Sequence, residues 1–207
     1  TKTRNLAIST KNRMLAQKNA NYTHNTYLPD RTAGMKAWYK QMIYYFSGIR
    51  DTSMAYSYVV TYSSTYLFPV SKDSLERKDS IDRVQQFKVA GNSSGPGIRT
   101  VRTTKSANII ANDMDEMAQL IGRNFKDSSK FLYGIKLSDK SIELFDNPVY
   151  FETKATLLQK LNRAQEAIIV LEQALNLLKQ KGLNIKSIQQ RIDAIKQNQL
   201  TDEPKLQ

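Results

Sequence analysis

The stretch from Pro148 to Lys181 constrains this chain more than any other, because its apolar and small residues keep helical spacing and break it once. Phe151, Ala155 and Leu158 fall four and three apart, Ala167, Leu171 and Ala174 do the same, and Asn162-Arg163 lies between the two runs. Residues three and four apart share one face of an α-helix. The single interruption therefore predicts two antiparallel helices joined by a tight turn. Ala155, Ala167 and Ala174 stand where the two would touch, since a small side chain at a crossing lets the axes approach while longer neighbours close around it.

A hairpin of this kind cannot bury its apolar face alone, so a second copy is expected beside it. Shifting the chain by 33 residues lays Gly122 on Ala155, Phe125 on Leu158, Gly134 on Ala167, Ser141 on Ala174 and Ile142 on Leu175. These spacings are those of the tetratricopeptide pattern, whose period is about 34 residues. Ile185, Ile188, Ile192 and Ile195 then predict a capping helix. The reading is an all-α fold of helical hairpins stacked as a short, right-handed, tetratricopeptide-like solenoid. Repeats and cap occupy 106–198, and a flexible tail follows over 199–207.

Upstream, residues 31–88 read as an N-terminal helical part. Met35, Trp38, Met42, Tyr45 and Phe46 form one stripe, Ser47 to Thr52 makes a turn with Asp51 or Thr52 as N-cap, and Met54, Tyr58, Tyr62 and Tyr66 continue to Pro69. This is a third, degenerate hairpin, its tyrosines packing a core rather than forming a base-stacking or sugar-binding strip. A short helix is expected over 71–86. Residues 89–105 read as a Gly/Ser-rich connection, with a short hairpin pairing Phe87–Val89 with Ile98–Val101 as its one structured option. Gly95-Pro96-Gly97-Ile98-Arg99 lacks the Gly-Lys-Ser/Thr ending of a phosphate loop. Residues 1–30 carry Lys2, Arg4, Lys11, Arg13 and Lys18 with no acid before Asp30, and read as a flexible basic leader or linker.

Little in the composition supports catalysis. With no cysteine there is no disulfide, thiolate metal site or Cys-x-x-Cys chemistry. The one histidine, His24, lies in a polar stretch and is expected on the surface, which leaves Ser-His-Asp chemistry without a base. The acid cluster Asp113, Asp115 and Glu116 reads as the first turn of a helix, where carboxylates complement the dipole. No apolar run approaches the roughly 18 residues of a membrane helix. The chain opens on Thr1, as expected of a processed protein or an excised piece. Its net charge of +12 is lopsided: residues 1–105 hold 17 Lys and Arg against 6 acids, and 106–207 hold 14 against 13. Such asymmetry marks a nucleic-acid or anionic-lipid surface, a solvated face, or an oppositely charged partner.

Three segments, Tyr45–Met54, Lys136–Leu144 and Tyr150–Ile168, within a span from Met35 to Lys196, carry a resemblance. The chain resembles the helical, tetratricopeptide-like region that follows the thioredoxin domain in a group of bacterial envelope thioredoxin-like proteins. That family's redox cysteines belong to a separate upstream domain, and no position here matches them. The resemblance implies an accessory or scaffolding domain in the bacterial periplasm or envelope, with the cytoplasm as the alternative address. The expected function is non-catalytic protein interaction, with a protein or peptide partner, no cofactor and no metal. By repeat register the partner groove is lined by Gln119, Arg123 and Lys126 in the earlier hairpin and by Glu152, Thr156, Gln159 and Lys160 in the later one. A nucleic-acid-binding helical protein using the basic N-terminal half is the alternative, set second because much of that charge lies on the leader and the Gly/Ser-rich connection, both expected to lack rigid structure.

Overall fold

Short polar side chains start most of the helices. The computed structural model describes residues 2–27, 30–91 and 106–202, and every regular element among them is an α-helix. In chain order these are α1 (Lys2–Ser9), α2 (Arg13–Thr26), α3 (Arg31–Gly48), α4 (Thr52–Tyr66), α5 (Lys72–Gly91), α6 (Ser106–Asn124), α7 (Ser128–Leu144), α8 (Pro148–Lys160), α9 (Ala164–Gln180) and α10 (Lys186–Asp202). Asn12, Asp30, Asp51, Asp127 and Asn147 each accept an N–H of the first turn, at 2.8–3.1 Å. A cap of this kind contributes about 0.5–2 kcal/mol. Among the expectations, the α3/α4 hairpin with Asp51 as N-cap and the turn at Asn162-Arg163 stand as read.

The chain divides into two compact units, the first made of Thr1–Pro69 with Arg123–Phe125, the second of Val70–Gly122 with Lys126–Gln207. In the first, α3 packs on α2 and on α4, and α1 packs on α2 and α3. The residues expected to form a flexible leader are thus two packed helices. Their contacts rest on small residues: Ala7, Ala16 and Ala20 are buried, and Gly34 of α3 lies against His24 of α2. His24 is half-buried, with Nδ1 enclosed, rather than a plain surface residue. On the other side of α3, the ring of Tyr39 meets Trp38, Tyr58, Tyr62 and Tyr66 at centroid distances of 5.3–6.2 Å. Tyr45 and Tyr62 are fully buried, as their spacing indicated, whereas Trp38, Tyr39, Tyr58 and Tyr66 are half-buried and pack on one another at the edge of the core.

The second unit is built around α8. This helix packs on α7 and α9, and its Leu157, fully buried, fills the space left by Gly122 of α6 and Gly134 of α7. Tyr150, also buried, donates from its hydroxyl to Asn112 Oδ1 of α6 at 2.6 Å. Ala155, Ala167 and Ala174 are all fully buried, where the hairpin pattern put them. The positions paired by the 33-residue shift are buried too, apart from half-buried Ile142.

The helix limits do not follow that shift. The N-caps Asp127 and Arg163 stand 36 residues apart, and at a shift of 33 the Asn162-Arg163 turn falls on Ser129-Lys130, inside α7. The cause is unequal helix length: α6 runs for 19 residues, while Pro148 starts α8 late and leaves it 13. Three further expectations change. Asp113 to Glu116 lie in the middle of α6, not in a first turn, and Asp115 is buried with its Oδ2 accepting from Gln119 Nε2 at 2.8 Å. Helix α5 runs on to Gly91, so Phe87–Val89 are helical rather than paired as a strand, while Ile98–Val101 and the rest of 92–105 lie outside the described residues. At the other end, α10 runs to Asp202 instead of fraying after 198, and 203–207 lie outside the described residues.

Tyr150 yields a pH test. Burial pushes its phenol above the ordinary tyrosine value and the charge of Asp115 adds to this, against a hydrogen bond with Asn147 that acts the other way. A raised pKa in the folded state favours folding below the unfolded value, near 10, and that contribution disappears as pH rises through the folded value. Tyr150→Phe is expected to cost about 0.5–1.5 kcal/mol at neutral pH and to lose less stability than the parent between neutral pH and alkaline pH. Urea unfolding of both proteins at the two pH values measures this. Parallel losses in the two proteins would show that Tyr150 is not the titrating group.

Candidate functional site

The residues expected to line one groove stand in different settings. Arg123 belongs with the first unit, Lys126 is exposed in the α6–α7 turn, and Gln119 donates within its own helix to Asp115. Lys160 holds its ammonium 5.7 Å above the ring of Phe131 on α7. Glu152, Thr156 and Gln159 do come together, because they recur every three to four residues along one face of α8.

That face is met by a helix from the same chain. α10 packs on α9 through Ile188, Ile192 and Ile195, all buried, and this places Arg191 over α8. The guanidinium donates from Nη2 to Thr156 Oγ1 at 2.7 Å and to Gln159 Oε1 at 2.9 Å, and from Nη1 to the Glu152 carbonyl at 3.4 Å. The Glu152 carboxylate stands 3.8 Å from Nη1. Burial draws the Arg191 pKa down and the Glu152 charge opposes that; an arginine remains cationic in either case. Planar, multidentate donation of this sort gives orientation as well as energy. The α8 face therefore recognises a helix carrying an arginine between buried isoleucines.

Arg191 was missed in the sequence, although its position was visible as the one cation within the Ile188 to Ile195 run. Its meaning depends on α10, packed on α9, reaching α8 through this one side chain, and residues 32 to 39 apart carry no local signal of that contact.

A concavity in this unit, of about 500 Å³, is lined by residues including Lys72, Glu76, Asp79, Glu143, Asp146 and Lys181. Several of these groups already have contacts. Both Asp79 oxygens accept the Ser106 N–H at 3.1 Å, which caps α6, Lys181 donates to the Asp146 carbonyl at 2.8 Å, and Lys140 pairs with Glu143 at 2.6 Å. Among the described residues no three His, Asp or Glu stand together as metal ligands. No helix among them is long and apolar enough to cross a membrane. Comparison of the chain with family models, with characterised proteins and with solved structures finds no match.

Proposed function

We propose that this chain is a non-catalytic helical protein-interaction domain, a scaffold or accessory part of a bacterial envelope protein acting in the periplasm. Its hairpins are read as a short, right-handed, tetratricopeptide-like array, and the resemblance carried by Tyr150–Ile168 adds a thioredoxin-like domain as its neighbour. The observation that carries the proposal is the polar face of α8, whose Glu152, Thr156 and Gln159 take the guanidinium of a helix that packs on α9. A polar helix face that accepts a guanidinium from another helix of its chain is suited to a partner segment that presents an arginine in the same way.

The test supplies α10 from outside. A chain ending at Leu183 is expected to bind a synthetic peptide of residues 186–202 saturably, and the same peptide with Arg191→Ala about 10- to 100-fold more weakly, the equivalent of the roughly 1.5–3 kcal/mol of hydrogen bonding to a charged group. In the full chain, Arg191→Ala should speed amide exchange over 186–198 and leave α8 protected. Equal binding of the two peptides, or no binding by a shortened chain that circular dichroism shows to be helical, would remove the basis of the proposal.

A further inference from the structure

The first unit carries a strongly one-signed charge, of which Arg4, Arg13 and Lys36 are placed over the rings of Tyr44, Phe46 and Tyr66. Residues 1–69 contain nine Lys and Arg against two acids, Asp30 and Asp51. Both acids act as helix N-caps, at Ala33 N and Met54 N. Across α1 and α2 there is no acid at all, while Lys2, Lys11, Arg13 and Lys18 are exposed. Lys2, Arg13 and Arg31 open α1, α2 and α3, and none of the three helices has an acid in its first turn. A helix start is the end where a cation is least favourable. Arg13 stands 5.7 Å over the Phe46 ring and Asp30 caps the start that Arg31 opens, so these two are partly offset within the fold, whereas exposed Lys2, Lys11 and Lys18 leave the face of α1 and α2 with cations and no acid.

We infer that the exposed face of α1 and α2 binds a nucleic-acid strand, with phosphates on the cations and an unpaired base on Tyr22. Two features decide between this and other anionic partners. The face is rich in hydrogen-bonding groups, including Asn5, Gln17 and Asn25, all exposed, which suit phosphate and sugar oxygens rather than acyl chains. Tyr22 is 72% exposed and lies one turn beyond Lys18 on the same helix face, a ring that packs no core and stands next to a cation. An aromatic beside a basic track is how single strands are held without sequence preference. The helices are fixed in place by Ala7, Ala16 and Ala20 against their neighbours, so the surface is folded, as a stacking platform must be.

The test uses the full chain and fluorescence anisotropy of labelled 20-nucleotide single-stranded DNA, single-stranded RNA and duplex DNA over a range of salt. Single strands are expected to bind with a dissociation constant below about 10⁻⁴ M at physiological salt, and each phosphate contact contributes about 0.7 to the salt slope. The triple variant Lys2→Gln, Lys11→Gln, Lys18→Gln should then flatten that slope by about 2. A control triple, Lys136→Gln, Lys179→Gln, Lys186→Gln, should leave it unchanged. Tyr22→Ala should weaken single-strand binding at least about fivefold and leave the duplex alone. The inference is overturned if the control triple flattens the slope as much, or if Tyr22→Ala binds single strands like the parent. Displacement of the strand by polyglutamate at equal charge, or equally tight binding to vesicles of equal parts phosphatidylglycerol and phosphatidylcholine, would overturn it as well. None of these results touches the α8 face, so the two readings stand or fall separately.

Discussion

Leu157→Ala is expected to destabilise the second unit by about 2–5 kcal/mol, the range for removing a buried leucine and leaving a cavity behind. The side chain is fully buried and stands against two glycines, with Cδ1 2.9 Å from where a Cβ on Gly134 would lie and Cδ2 3.3 Å from one on Gly122. Those two helices meet α8 through backbone that carries no side chain, so nothing is at hand to fill the gap. The upper half of the range is therefore the expectation. Chemical unfolding of the full chain measures it, and a cost below 1 kcal/mol would mean that α6, α7 and α8 close on one another more easily than their glycines indicate. The converse variant, Gly134→Ala, should also destabilise, since a methyl group there meets Leu157 too closely unless the leucine moves.

Leu157 also shows where sequence reading succeeds and stops. The periodic stripe named Ala155 and Leu158, and both are buried. Leu157 lies off that stripe, and it is buried because α8 has neighbours on more than one side: α7, α9, and α6 through Gly122. A helix surrounded by others loses its amphipathic signal, so the hub of the unit is less legible than its edges. The repeat comparison was informative about which positions are small and buried, because packing demands that. It was uninformative about helix ends, which Pro148 and the cap at Asp127 decide locally.

In the first unit the usual signal was inverted. Of the large aliphatic residues of α1 and α2, Leu6 and Met14 are 54% and 69% exposed and Ile8 and Leu15 only half-buried, Ile8 against Gly48 of α3, while the buried positions are alanines. Hydropathy weighs leucine and methionine heavily and alanine lightly, so a segment that packs by alanine reads as unstructured leader. The exposed side of the same helices was legible as charge from the start. What it lacked was a reason to be rigid, and the packing of α1 and α2 supplies one.

That packing has a single most sensitive point. Gly34→Ala would normally stabilise a helix by about 0.4–1 kcal/mol, because glycine loses more backbone freedom on folding. At this position the sign should reverse. A Cβ on Gly34 would stand 2.5 Å from His24 Nδ1 and 2.7 Å from the His24 carbonyl oxygen, closer than real Cβ contacts come. The imidazole can swing aside, whereas the carbonyl is part of α2 and moves only if the helix moves. Overpacking of this kind costs about 1–3 kcal/mol, which outweighs the propensity gain. Thermal unfolding should therefore show Gly34→Ala as less stable than the parent. Amide exchange should localise the loss to α2 and the first turns of α3, leaving α8 and α9 protected. Pairing it with His24→Ala separates the two contacts: if the imidazole alone were the obstacle, the double variant would recover the stability of His24→Ala, whereas a persistent deficit assigns the clash to the backbone. Gly34→Ala melting at or above the parent temperature would show that α2 and α3 do not approach this closely, and would remove the rigid support on which the basic face of α1 and α2 depends.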